Sequence, residues 1–239
     1  MTPEQAAHEL APFLVGVAGR FMADPATFAR GAELGFEGFD FYVAGRAGVL
    51  GDVPGEVAAA ALVFFAPGVV VPAWEHAAQV MPVRRAAQEF ARCGHVHARE
   101  QFSDATDYAR LADLLGRAVA AADAAGAPIF AGLRALDEPG DPKALALHRA
   151  NALRELRGAL HAAAILTVGL TPHEAVAVRS PGVAALFGWP DPLPDAGPLR
   201  DRWALAEART DRMAGRALAV LSPDERRELV DLTAPLLAG

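Results

Sequence analysis

The sequence predicts an all-α chain of many helices, and three observations carry that expectation. Thr2-Pro3-Glu4-Gln5, Thr171-Pro172-His173-Glu174 and Ser222-Pro223-Asp224-Glu225 each have a hydroxyl residue, a proline at the first helical position and Glu or Gln three residues on. That is the pattern of a capping box, in which hydroxyl and carboxyl or amide satisfy each other's orphan backbone N–H groups. Apolar residues between such marks recur at three and four, as in Leu111, Leu114, Leu115, Ala118, Val119 and Ala122. Strand candidates are few: Val69-Val70-Val71 is short and bounded by proline, and Pro128-Ile129-Phe130 suits an extended connector or a small edge strand. The architecture expected is multi-helical and helix-turn-helix-like, with at most minor β.

The elements follow in order. Asp24-Pro25 starts a helix that Gly35 can end, since glycine suits the left-handed C′ position. In the helix near Phe36, the residues Phe39, Tyr42, Val43 and Arg46 share a face. The longest uncharged run, Val57 to Trp74, approaches the length of a bilayer span. Pro67, Gly68 and Pro72 interrupt it, so it reads as two buried helices meeting at a turn rather than a membrane segment. Arg84 to Glu100 is charged and patterned as helix, Ala105 to Ala125 is a further helix ending at Gly126, and Asp141-Pro142 opens a long one ending near Gly169. Leu199 to Leu221 is amphipathic and precedes the last capping box. The polar Pro/Gly stretch from Asp137 to Pro142 suggests a boundary between residues 1–138 and 139–239, although Ala-rich helices on both sides could pack as one body.

Composition narrows the function classes. A chain of 239 residues with 53% hydrophobic and 21% charged residues can build a sizeable core in one large domain or two small ones. Acidic residues outnumber basic ones, 29 to 22, which argues against a surface made mainly to embrace nucleic acid phosphates or anionic lipid. Cys93 is the single cysteine, so no internal disulfide and no Cys-rich zinc cluster is expected. The first twenty residues include Glu4, His8 and Glu9 and lack a basic segment followed by an apolar one; the expectation is a cytoplasmic protein without a signal peptide. Cys93, His95 and His97 alternate at two-residue intervals, which would converge on a strand but scatters them around a helix, so no metal site is expected there. No glycine-rich phosphate loop follows a strand and no Gly-x-Ser-x-Gly elbow is present, so neither a nucleotide fold nor a serine hydrolase is indicated and no cofactor is expected.

The informative residues are polar ones in apolar surroundings. On the helix starting at Pro142, the residues Leu147, Asn151, Arg154, Gly158 and His161 fall on one stripe, with His148, Ala152, Glu155 and Ala159 on the next. Buried charges need partners. The expectation is therefore an apolar cavity framed by two helices far apart in the chain, with Phe39, Tyr42, Arg46, Asn151, Arg154 and Arg157 holding a ligand and His148 and His161 as acid–base groups. An aromatic stripe ending in Arg suits an apolar molecule with one anionic group. The bland alternative has Arg46 and Arg154 paired with carboxylates such as Glu155 or Asp40, and His161 satisfying a backbone carbonyl.

Tyr42-Val43-Ala44-Gly45-Arg46-Ala47 with Leu50-Gly51, Phe65-Ala66-Pro67, Leu147-His148, Arg154-Glu155-Leu156-Arg157-Gly158 with His161, Gly169-Leu170 with Glu174-Ala175, Gly188-Trp189 and Thr210-Asp211-Arg212 span most of the chain. Through these short motifs it resembles a family of actinobacterial proteins described as helix-turn-helix-like, some encoded near specialised-metabolite gene clusters. The resemblance implies a winged-helix-like helical fold and no established reaction. The family's Arg-Gly pair is followed by Asp-Gly before the His, whereas Ala159 and Leu160 stand here. The segment from Gly169 to Ala175 could be the turn and second helix, with Pro181 to Phe187 as the next; that last helix presents Ala, Val and Phe where base readout needs Arg, Lys, Asn, Gln or Ser. DNA is therefore not the expected partner. The leading expectation is a small-molecule-binding protein of specialised metabolism, with acid–base chemistry as an option. The alternatives are a ligand-responsive regulator with a basic face from Arg179, Arg200, Arg202 and Arg209, and a partner-binding protein that forms a homodimer through Leu199 to Leu221.

Overall fold

The computed structural model of the chain describes residues 1–237. Its elements, in order, are α1 (Pro3–Pro12), α2 (Pro25–Glu33), α3 (Asp40–Ala47), α4 (Gly55–Ala61), α5 (Pro67–Val80), α6 (Val83–Gln101), α7 (Tyr108–Ala121), α8 (Pro128–Arg134), α9 (Pro142–Thr167), α10 (Pro172–Arg179), α11 (Arg200–Leu218) and α12 (Pro223–Leu237). Among the described residues there is no strand, so the all-α, helix-turn-helix-like expectation holds without a β wing.

Local sequence explains most of the ends. Thr2 and Thr171 form the reciprocal capping boxes with Gln5 and Glu174. Ser222 does the same with Glu225, its hydroxyl accepting from the Glu225 N–H while the Glu225 carboxylate accepts from the Ser222 N–H. Asp24 and Asp141 cap α2 and α9 by accepting from Ala26 and Ala144. Val57 to Trp74 resolves into α4 and the start of α5, as expected. Among the described residues no helix is long and apolar enough to cross a membrane. Two sequence expectations differ. Pro128-Ile129-Phe130 begins α8, because Pro128 at the first helical position costs no hydrogen bond and Ile129, Phe130 and Leu133 bury one face. Pro181 to Phe187 is a single 3-10 turn at Pro181–Val183 followed by tight turns: Ser180 gives it no side-chain cap, and the chain turns away at Gly188, which takes φ of +81°.

The long helix α9 organises the body. Its 26 residues extend about 39 Å at the usual rise per residue, and it packs against α6, α7, α8 and α11. Buried positions lie all round it: Ala146, Ala150 and Ala164 let neighbours approach closely, while Leu147, Leu156 and Ile165 fill the gaps between them. One apolar core runs from Ala6 to Leu236; a smaller one gathers Ala164, Ile165, Leu170, Ala175, Leu199 and Ala206 around the C-terminal end of α9. Where α3 crosses α6, a Cβ on Gly45 would come within 2.3 Å of the Phe90 ring, so only glycine permits that approach.

The turn between α9 and α10 is a Schellman ending. Gly169 takes φ of +74°, its N–H donates to Leu166 O, and the Leu170 N–H reaches back to Ile165 O. Leu170 packs beside Ile165, and Thr171 at once caps α10. This is a compact helix-turn-helix built from three sequence signals in four residues.

Cys93, His95 and His97 do scatter around α6. The Cys93 thiol is pushed up to about 11, burial being the main cause, which keeps it protonated and inert. His97 Nδ1 meets Asp24 at 2.8 Å, and His95 Nε2 lies 3.2 Å from His148 Nδ1 across the α6–α9 contact. That imidazole pair shares one proton. Burial pushes His95 down to about 4, with His148, Arg99 and Arg92 adding to the effect and Asp141 opposing it; burial also lowers His148. Below the unfolded histidine value of about 6.5, the unfolded chain takes up protons that the folded pair refuses, so stability falls with acidification between about pH 6.5 and 4. Denaturant midpoints measured at pH 7 and pH 5 should show a lower value at pH 5, and the difference should shrink in the double variant His95→Leu, His148→Leu.

Candidate functional site

A cavity of about 540 Å³ opens where the two apolar cores meet, walled by α1, α3, α9, α10 and α11. Phe64, Phe65, Phe187 and Trp203 supply its aromatic surface. Pro12 shapes one wall: it lacks the N–H that would continue α1, and the chain passes into a π-helical turn at Phe13–Val17, from which Val15 and Gly16 line the space. On α9, Gly158 faces the cavity, and a Cβ there would meet nothing within 4 Å. Glycine inside a helix costs about 1 kcal/mol relative to alanine; here its effect is open volume beside the polar groups.

The polar wall comes from α9. Glu155 is only 5% exposed and accepts from both Nε and Nη2 of Arg46, at 3.0 and 2.9 Å, and from Arg154 Nη1 at 2.6 Å. Burial opposes its charge, but the two guanidiniums outweigh burial and hold the carboxyl below its usual range. Arg46 also donates to the Tyr42 hydroxyl at 3.1 Å, and despite burial its own value is raised by Glu155 and Tyr42. One turn on, Arg157 Nη2 donates to Glu207 and Asp211, each at 2.9 Å, and so ties α9 to α11. Asp211 in turn accepts from His8 Nδ1 at 2.9 Å, which brings α1 into the same chain of bonds.

His161 completes this wall. Its ring stacks 5.7 Å from Phe64 and meets Trp203 edge to face at 4.8 Å. Nδ1 lies 3.0 Å from Thr210 Oγ1 and 3.6 Å from Glu207 Oε1. Burial pulls the imidazole below its ordinary value, Glu207 and Asp211 opposing and Arg157 and Arg179 assisting, so it is neutral near pH 7. His161 Nε2 and the Nε groups of Arg154 and Arg157 are shielded from solvent and have no hydrogen-bond partner. Counting Asp211 behind the wall, four guanidiniums face three carboxylates, an excess of positive charge. The fourth, Arg179 at the end of α10, is exposed and makes no hydrogen bond or ion pair among the described residues.

Of the residues expected at such a site, Tyr42, Arg46, Arg154, Arg157 and His161 line this one cavity. Phe39 stands behind it, stacked on Tyr42 at 4.5 Å. Asn151 is buried deeper along α9 with its Oδ1 unpartnered, and it does not line the cavity. His148 is bound to His95 instead; thirteen residues before His161 on one helix puts it about 20 Å away along the axis. A stripe shared by spacing is a line along a rod, and a cavity touches only part of that line. Glu207, Asp211 and Trp203, which the sequence pattern missed, reach the site from α11, and His8 from α1. The only hint of them was the Thr210-Asp211-Arg212 motif.

A family model described as a helix-turn-helix family matches residues 7–239. The chain belongs to that helix-turn-helix family. No curated protein and no solved structure matches it. In this helix-turn-helix protein the segment after α10 is turned inward: Phe187 packs 4.2 Å from Phe65, its carbonyl accepts from the Ala66 N–H at 2.8 Å, and Trp189 donates to Phe64 O. Arg202 and Arg209 are bonded to Gly169 O and Thr167 Oγ1 at the helix-turn-helix corner. That arrangement braces the turn and walls the cavity.

The ion cluster separates structural from available charge. Arg46→Leu strands the buried Glu155 with one lateral partner and should cost about 3–5 kcal/mol in chemical denaturation. Arg154→Leu keeps the two-pronged Arg46 pair and should cost less than about 1.5 kcal/mol by the same measurement.

Proposed function

We propose that this protein binds an apolar small molecule carrying an anionic group, held in the cavity at the C-terminal half of α9, with His161 available for acid–base work. The single observation that supports this reading most is the convergence of Tyr42, Arg46, Arg154, Arg157 and His161 on one aromatic-walled space. In it, the buried polar atoms of His161 and Arg157 lack partners. A folded chain tolerates an unpartnered buried polar group at a cost of about 1–3 kcal/mol each, which a ligand recovers on binding. The positive excess selects an anion, and the aromatic lining selects its apolar body. Specialised metabolism is the setting that the sequence resemblance suggests, and the N-terminal sequence suggests the cytoplasm.

Family membership is compatible with a second reading, a ligand-responsive regulator. Against it, α10 is eight residues long, carries Glu174 in its first turn and offers Arg179 as its one cation. Fluorescence anisotropy with a random DNA duplex at low salt discriminates: absence of binding removes the regulator.

The cavity reading is tested with 8-anilinonaphthalene-1-sulfonate, an aromatic anion whose emission rises in apolar surroundings. Wild-type protein should bind it with quenching of Trp203, and Gly158→Leu, which fills the open volume, should weaken binding at least tenfold with the melting temperature held or raised. Equal binding by the two proteins would count against this cavity.

A further inference from the structure

Resting on the cavity reading, the unpartnered atoms define the ligand more closely than size and charge do. The decisive group is His161. The Thr210 hydroxyl lies 2.8 Å from the Ala206 carbonyl and donates its one proton there. Facing His161 it therefore has only lone pairs to offer, so at 3.0 Å Nδ1 must be the donor. Glu207 Oε1 at 3.6 Å from the same nitrogen enforces this, since an unprotonated Nδ1 would put a lone pair against a carboxylate. With Nδ1 protonated and the ring neutral, Nε2 is a pure acceptor, buried and unsatisfied. The side chain is 9% exposed and cannot turn away, being held between Phe64 and Trp203.

The neighbouring orphan has the opposite character. Arg157 uses Nη2 for Glu207 and Asp211 and leaves its Nε–H, a donor, without an acceptor; its side chain is 8% exposed. Arg154 and the rim cation Arg179 add further positive charge. The site thus asks for two complementary things at once: acceptor oxygens bearing negative charge for the guanidiniums, and a hydrogen-bond donor for a neutral imidazole nitrogen.

We propose that the cavity selects an aromatic carboxylic acid that also bears a hydroxyl, its carboxylate on the Arg154 and Arg157 side and its hydroxyl donating to His161 Nε2. A plain aromatic acid satisfies only half of this set and leaves Nε2 unpaired. A site built to bond a hydroxyl discriminates against the ligand that lacks it because the protein's own buried group is then left bare.

Phenylacetate and its 2-, 3- and 4-hydroxy isomers, titrated calorimetrically into the full chain, test this at pH 7.5. At least one hydroxy isomer should bind wild-type protein about fivefold or more tightly than phenylacetate. In His161→Phe, which retains the packing between Phe64 and Trp203, that advantage, read as the ratio of the two affinities within the variant, should fall below about twofold. His161→Gln, whose amide oxygen can reach near the Nε2 position, should restore part of it. If phenylacetate binds and no isomer binds better, or if the preference survives in His161→Phe, the hydroxyl proposal is overturned and the cavity reading stands. If all four acids fail to bind at millimolar concentration, the cavity reading itself fails and this proposal with it. Should His161→Phe unfold, histidine nitrogen resonances of the wild type decide independently: protonated Nδ1 is expected, and a proton on Nε2 overturns the assignment.

Discussion

A carboxylate buried between helices is the constraint on which the rest of this structure depends. Glu155 cannot carry its charge inside the protein unless cationic groups come to it, and the two that do stand on different elements, Arg46 on α3 and Arg154 beside it on α9. The attraction between such groups scarcely repays their desolvation, so its chief effect is to specify which surfaces meet. Here it ties α3 to α9 through side chains and holds Tyr42 through the third side of the Arg46 fork. The aromatic stack of Phe39, Tyr42 and Phe65 is positioned in turn.

A second ionic link of the same kind lies one turn along. Arg157 bridges Glu207 and Asp211, and Asp211 carries the chain to His8. The two links connect α3, α1 and α11 to α9 through side chains, and Gly158, which has no side chain to fill the space between them, leaves a hollow. The polar groups are thus of two kinds: the atoms already bonded hold the walls together, and His161 Nε2 and the Nε groups of Arg154 and Arg157 are left buried without partners. The bland reading of Arg46 as a partner of Glu155 is correct for that residue, and it is also what makes the cavity.

The helix-turn-helix is likewise turned to structure. Gly169 and the Thr171 cap make a sharp corner, but the residues that would extend it into a groove-reading helix fold back onto Phe65 and Phe64. Membership in a helix-turn-helix family describes the corner and does not by itself fix a function.

The helices and their ends were legible in the sequence because capping, proline at the first turn and glycine after the last act within a few residues. Thus Thr2, Asp24, Asp141, Thr171 and Ser222 announce themselves, as does the amphipathic spacing of α7. Pro128 was ambiguous because three apolar residues after a proline fit either a short helix or a strand, and only burial against neighbours chooses between them. The same limit governs the site. Spacing placed Arg154, Arg157, Gly158 and His161 near one another on α9, since a helix is periodic, but it placed Asn151 and His148 with them as well. Which part of that long helix meets a hollow, and that His8, Trp203 and Glu207 come to it from both ends of the chain, depends on contacts between residues far apart in sequence. Local rules carry no information about those, and so the tertiary packing alone decided where the chemistry gathers.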